Sequence, residues 1–293
     1  MKNVLITGCS SGFGYLTALL LARKGYKVWA TMRNVLTKNK AKKKELLVIA
    51  EKEKLHISVL ELDVTIETSV TKAIDFIINE DGTLDYLVNN AGYMFVGLTE
   101  AYTIAQAKDQ FETNFFGVLR MVKAIAPHMR KQKEGLIVNV TSIAGRLTFP
   151  YFGIYCASKH AVEAYSQALR YELAPWGVEV SLVEPGPFGT NLLYSGPKEA
   201  DQAIFDSYYK QKDEPAALLK FFDGFFQSSE APNPQLVADD IAMLIETKRG
   251  ERPERVVSGV GFGAEDYNQK VYPIQQSVVK DALQLQHLMK LTR

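Results

Sequence analysis

Six short apolar runs recur along the chain, and the stretches between them carry apolar residues at helical spacing. The runs are Val4 to Thr7, Lys27 to Thr31, Ile57 to Leu60, Leu84 to Asn89, Gly135 to Val140 and Val178 to Val183. Between them Leu16, Leu19 and Leu20, and later Val70, Ile74, Ile77 and Ile78, fall at the spacing of one helix face. This alternation predicts successive strand–helix–strand units, and so an α/β protein with a parallel sheet covered by helices on both faces. Runs that are apolar at nearly every position suit strands buried on both sides. A chain of 293 residues has length for one large domain or two. No linker divides it, so a single domain is expected.

Composition narrows the functions. Lysine and arginine total 34 and aspartate and glutamate 33, a net charge of +1, which gives no support to nucleic acid as a partner. With 47% apolar and 23% charged residues, the chain is neither disordered nor a coiled coil. Cys9 and Cys156 are the two cysteines, too few for a disulfide framework or a cysteine metal site, and they fit a reducing compartment. His56, His128, His160 and His287 show no ligand spacing, so no metal is expected. His160, directly after Lys159, reads as packing or surface. The N-terminus enters strand-like sequence at once, without a signal-peptide layout. No apolar run is long enough for a membrane span. The expected location is the cytoplasm.

Three stretches break the regularity. Lys38 to Lys44 holds five lysines in seven positions and reads as a solvated helix face, since no aromatic residue interleaves it. Residues 191–235 show no strand pattern yet carry Phe205, Tyr208, Tyr209, Phe221-Phe222 and Phe225-Phe226, too apolar for a plain loop. Arg255 to Ser258 reads as a last strand, before an amphipathic tail around Val271 to Leu288. The chain therefore divides into a core at 1–190, an insertion at 191–252 in the same domain, and a strand and helical tail at 253–293.

After the first strand comes Thr7-Gly8-Cys9-Ser10-Ser11-Gly12-Phe13-Gly14, and then a helix. Glycines at 8, 12 and 14 permit a tight turn, close approach of backbone to a pyrophosphate, and close helix-to-strand packing. The helix N-terminus offers free N–H groups to phosphates. The spacing matches the general Gly-x-Gly-x-x-Gly fingerprint only in part, but its place between strand and helix favours a dinucleotide site. An acidic residue about 20 positions further on would hold the ribose 2′-hydroxyl of NAD. Here the stretch is Thr31-Met32-Arg33-Asn34, with no carboxylate. Arg33 suits a 2′-phosphate instead, with Ser11 as a second donor, and NADP(H) is the expected cofactor. The plain alternatives are an Arg33 that faces solvent, and NAD(H).

Tyr155-Cys156-Ala157-Ser158-Lys159 places a phenol and an ammonium on one helix face. A phenol's pKa of about 10 is high for proton exchange near neutrality, and an adjacent cation lowers it. Thr141-Ser142 follows the run ending at Val140, which puts a hydroxyl at a strand's carboxyl end, where open α/β sheets bind ligands.

With these residues in hand, the sequence resembles the short-chain dehydrogenase/reductase family in its classical form, over roughly residues 3–190. The glycine turn, including Gly8, Ser10, Ser11, Gly12, Phe13 and Gly14, is similar to the family's cofactor motif. Asp63-Val64 resembles its adenine contact, and Asn89-Asn90-Ala91-Gly92 the motif that steadies the sheet beside the cofactor. Asn114, Ser142, Tyr155 and Lys159 stand where the family has its catalytic tetrad. Pro185-Gly186, with Thr190, resembles the segment lining the nicotinamide. The turn and the stretch Ala30 to Arg33 look like those of the 17β-hydroxysteroid and retinol dehydrogenase branch.

The resemblance implies a doubly wound parallel sheet, the Rossmann fold, and a redox reaction between NADP(H) and a carbonyl/alcohol pair. Tyr155 would exchange the proton, Ser142 would hold the substrate oxygen, and Lys159 would lower the phenol's pKa and grip the ribose. Asn114 would hold a water leading from Lys159 to solvent, or simply relieve strain in a long helix. Phe149, Tyr151 and Phe152, with the aromatic insertion, would wall a pocket for a bulky apolar substrate, or pack against the sheet or a second subunit. Long helices near 101–130 and 152–173 imply, by the same resemblance, a homodimer or homotetramer. A competing reading from another class is a dinucleotide-binding sensor or scaffold without turnover.

Overall fold

In the computed structural model, which describes residues 1–292, strands and helices alternate as the pattern predicts. β1 (Asn3–Ile6), α1 (Gly12–Arg23), β2 (Lys27–Met32), α2 (Lys40–Glu53), β3 (Ile57–Glu61), α3 (Glu67–Asp81) and β4 (Tyr86–Asn89) form the first half. The second half runs α4 (Ile104–Phe111), α5 (Gly117–Gln132), β5 (Gly135–Val140), α6 (Gly153–Leu173) and β6 (Val178–Pro185). Then come α7 (Gln202–Ser207), α8 (Glu214–Phe226), α9 (Gln235–Glu246), β7 (Arg255–Ser258) and α10 (Ala264–Ser277).

The strands make one sheet in the order β3-β2-β1-β4-β5-β6-β7, and every neighbouring pair is parallel. Successive side chains of a strand point to opposite faces, and the two faces have separate cores. Val4 and Ile6 of β1 join Leu21 of α1, Leu46 of α2 and Ile241 of α9 on one side. Leu5, between them, joins Ile74 of α3, Met121 and Ile125 of α5 and Val162 of α6 on the other. Each of these side chains contributes roughly 1.5–3 kcal/mol by leaving water. The strand order reverses between β1 and β4, and a crevice opens there at the carboxyl ends of the strands.

Two expectations change. The helix expected over 101–130 is broken: a short 3-10 turn at Thr99–Ala101 and α4 lead into a π-helical turn, Glu112–Phe116, before α5. Such turns recur at functional sites, and this one carries Asn114. The lysine run also divides, because α2 starts only at Lys40 and Lys38 lies in the preceding loop. Residues 191–235 contain no strand, as expected, and α8 folds beside the crevice. No helix among the described residues is long and apolar enough to cross a membrane.

Candidate active site

The crevice is a cleft of about 700 Å3, within the usual range for a small-molecule site. Its floor is the glycine turn. Gly8 and Gly12 have φ of +75° and +57°, a left-handed conformation that glycine adopts without cost. A Cβ on Gly8 would fall 2.9 Å from Ala91 Cα, and one on Gly14 would fall 2.5 Å from both the Gly8 oxygen and Asn90 Nδ2. The turn is pinned from across the sheet. Asn90 Nδ2 donates to the Thr7 carbonyl at 2.9 Å and to the Gly8 carbonyl at 3.2 Å, while the Asn90 and Ala91 amides donate to Thr7 Oγ1. Ser11 precedes α1 without a side-chain cap, so the first amides of the helix stay free for an anion. Pinned turn, open helix end and close backbone together fit a dinucleotide pyrophosphate.

Asp63 and Val64 line the next part of the wall, and the Asp63 carboxylate accepts from the Thr65 amide and hydroxyl. Arg33 lines it too, exposed and without a carboxylate partner among the described residues. Beside it stands Lys38, which the sequence pattern assigns to a solvated helix. The loop explains the difference. Asn34 adopts φ +55°, and Asn39 donates through its backbone to the Asn34 carbonyl and through Nδ2 to the Arg33 carbonyl at 2.6 Å. That knot keeps Lys38 out of α2 and turns it to the cleft. Two cations without a carboxylate partner among the described residues thus line this end of the cleft.

At the other end are Ser142, Tyr155 and Lys159, with Gly92, Pro185, Gly186 and Thr190 around them. The Lys159 ammonium lies 5.8 Å from the centre of the Tyr155 ring and donates to the Val140 carbonyl at 3.0 Å. Ser142 Oγ donates to the Pro185 carbonyl at 3.3 Å and accepts from the Ala144 amide at 3.1 Å. Tyr155 packs in an apolar cluster with Met94, Ala144 and Phe152. Burial pushes its phenol well above the ordinary range, and the nearby Ser142 hydroxyl opposes this only in part. The expected lowering by Lys159 is therefore corrected: desolvation wins. Burial likewise brings the Lys159 ammonium down to about 8, against the pull of Glu163.

Two residues of the expected set lie behind the wall. Gly14 packs α1 against the turn, the close-approach role its position implies. Asn114 is buried, and its amide is committed: Oδ1 accepts from the Tyr93 amide, while Nδ2 donates to the Tyr93 carbonyl and to Ser158 Oγ. It ties the π-helical turn to the wall and to α6. The other expected cofactor and catalytic residues all line the cleft.

Above the phenol, Phe149, Phe152, Leu192, Leu193, Leu218 and Phe222 give an apolar wall. Tyr151 lines it as well. The aromatics of the insertion divide, since Phe222 faces the cleft whereas Phe221 and Tyr209 are 65% and 82% exposed. Phe188, between Gly186 and Thr190, and Phe262 also line it; Phe262 carries no local signal, because long-range folding alone brings it there.

This sheet, with its turn and its buried phenol and ammonium, defines a dinucleotide-dependent type of enzyme, and comparison with known proteins agrees. The sequence pattern described as short chain dehydrogenase matches residues 2–200. The chain belongs to that family, and so to the oxidoreductases. It is 44% identical over 189 residues to a 3-ketodihydrosphingosine reductase of Bacteroides thetaiotaomicron, covering 64% of this chain and 65% of that protein. It is 36% identical over 259 residues to human retinol dehydrogenase 8, covering 85% of this chain and 79% of the relative. The solved structure "ElxO with NADP Bound" superposes with a TM-score of 0.70 at 29% identity, covering 90% of this chain and 99% of that one.

Proposed function

We propose that the chain is an NADP(H)-dependent oxidoreductase that interconverts a carbonyl and an alcohol on a bulky apolar substrate, of steroid, retinoid or similar ketone or aldehyde type. The observation that carries this reading is the joint presence of Ser142, Tyr155 and Lys159 at the inner end of the cleft. Bound nicotinamide supplies or accepts the hydride. The glycine turn and the open end of α1 hold the pyrophosphate, and Arg33 and Lys38 meet the 2′-phosphate. Tyr155, kept protonated by burial, gives its proton to the substrate oxygen as charge grows there in reduction, and takes it back in oxidation. The Ser142 hydroxyl exchanges the Pro185 carbonyl for that oxygen and stabilises its charge. Lys159 holds the ribose and places a positive charge near the phenol.

The apolar wall supports the substrate class, and the names of the two relatives, a sphingoid ketone reductase and a retinol dehydrogenase, agree with it. Residues 191–252 act as a lid, of which Leu218 and Phe222 are the inner face. Subunits pair as a homodimer or homotetramer, which light scattering in solution tests. The decisive assay is a panel of aldehydes, ketones, steroids and retinoids read by NADPH absorbance. Turnover of bulky apolar carbonyls, weakened in Phe222→Ala chiefly through KM, is expected. Activity confined to small polar sugars overturns the apolar pocket. A sensor or scaffold has no use for the phenol and ammonium at this end, so binding of NADPH without any turnover would favour that second reading.

A further inference from the structure

Glu163 sits one helical turn beyond Lys159 on α6 and is 2% exposed, although it lines no part of the cleft. Its Oε1 accepts from Thr141 Oγ1 at 2.6 Å, and its Oε2 meets Arg255 Nε at 3.1 Å. Thr141 stands between Val140, whose carbonyl receives the Lys159 ammonium, and Ser142. Gly145 closes over the same place, since a Cβ there would fall 2.8 Å from Glu163 Cγ and 3.1 Å from the Lys159 carbonyl oxygen. A second buried carboxylate, Glu184 of β6, meets Arg255 Nε at 3.1 Å and accepts from Asn268 Nδ2 at 2.7 Å. Glu254, next to Arg255 in the chain, meets Arg255 Nη1 as well, so three carboxyl groups share Arg255, a costly arrangement to bury for stability alone. Lys159 itself touches no carboxylate among the described residues, and Glu163 is the acid whose charge acts on it.

We propose that Glu163 is a positioning residue, fixing the strand end from Val140 to Ser142 through Thr141 and holding Lys159 as an ammonium from one turn away. The inference rests on the roles given above to Ser142 and Lys159. The titratable and charged groups around the pair are Tyr155 and Cys156 of α6, Glu184 of β6, Glu254 and Arg255 at β7, and Arg146 of the turn after β5. Asn114, from the π-helical turn, is uncharged. Burial pushes the Glu163 carboxyl above its ordinary value, while Arg255 at 3.1 Å, Thr141 and Arg146 pull it back toward the carboxylate, and the Glu163 carboxylate opposes the loss of the Lys159 proton.

The test uses the full chain and a readout independent of turnover: the pH dependence of Lys159 acetylation by acetic anhydride, followed by peptide mass spectrometry. Wild type should reach half its maximal reactivity near pH 8. Glu163→Gln keeps an acceptor for Thr141 but removes the charge, and its midpoint should fall by about one pH unit, tenfold in proton concentration. Glu163→Asp should restore most of that fall, and Glu184→Gln should cause none. Thr141→Val cuts the other contact, so kcat should drop with the Lys159 midpoint unmoved. It also serves if Glu163→Gln does not fold. An unmoved midpoint in Glu163→Gln, or full kcat in Thr141→Val, overturns the inference. Shifted midpoints in a protein that reduces no carbonyl would instead sink the functional reading and leave the electrostatic link standing.

Discussion

Lys159 points its ammonium at the carbonyl of Val140, 3.0 Å away, and not at the oxygen of Tyr155. The ring centre of that tyrosine is 5.8 Å distant. Cation and phenol share one apolar pocket without an ion pair, so burial acts on both: the phenol holds its proton more tightly and the ammonium less tightly. The two pKa values, close together in water, are thereby driven apart, which leaves the phenol protonated beside an ammonium that titrates near neutrality.

Tyr155→Phe removes the proton and keeps the packing. Turnover of any carbonyl that wild type reduces should fall by at least ~10²-fold. Binding of NADPH, followed by quenching of tryptophan fluorescence, should stay within a few fold. Retained turnover would assign the proton to another group.

Arg33 and Lys38 both line the cleft, and neither has a carboxylate partner among the described residues. Arg33→Ala and Lys38→Ala should each weaken NADPH by roughly tenfold, in line with loss of a charge-assisted contact. NADH should be nearly unaffected, and the preference for NADPH should shrink as salt is raised. Calorimetric titration of both nucleotides checks this. Tighter NADH binding in wild type, unchanged in Arg33→Ala, would remove the role given to both cations.

What the sequence shows of this site follows from how local each signal is. The strands, the glycine turn and the one-turn spacing of Tyr155 and Lys159 are written in neighbouring residues, and they stand where periodicity puts them. Lys38 is misread because a run of lysines before Glu45 carries helical charge spacing, whereas the Asn34–Asn39 knot that diverts it rests on a left-handed backbone at Asn34. The break at Glu112–Phe116 is hidden for a related reason: an extra residue in a turn leaves the apolar spacing of the flanking helices intact. Phe262 reaches the cleft only through tertiary folding. Charge proximity can be read from spacing, but the burial that decides the Tyr155 proton belongs to the folded molecule.

Glu184 offers a test in stability. Burial and the neighbouring Glu163 raise its carboxyl to about 8, far above its unfolded value. The folded chain therefore holds a proton that the unfolded chain has released between about pH 4.5 and 8. Stability from this group is full below that window and is lost as pH rises through it. Glu184→Gln removes the dependence, so thermal melts should show the variant gaining on wild type from pH 5 to pH 8.5, by on the order of 2 kcal/mol. A constant difference across that range would mean that Glu184 is ionised throughout.

Gly14 joins stability to binding. Alanine is the better helix former, by up to ~1 kcal/mol, and an exposed helix would gain from the change. Here the added methyl would lie 2.5 Å from the Gly8 carbonyl oxygen and 2.5 Å from Asn90 Nδ2. One is backbone and the other is held by two hydrogen bonds, so neither yields without moving the turn. Overpacking of this kind costs about 1–3 kcal/mol, which outweighs the helical gain. Gly14→Ala should thus melt at lower temperature and lose NADPH affinity, because the amides that would face the pyrophosphate move with the turn. Gly12→Ala is the useful contrast: its Cβ meets nothing within 4 Å, so its cost is confined to the left-handed φ of +57°, about 1 kcal/mol. Equal losses in the two variants would show that backbone strain, and not contact with Asn90, sets the shape of the turn.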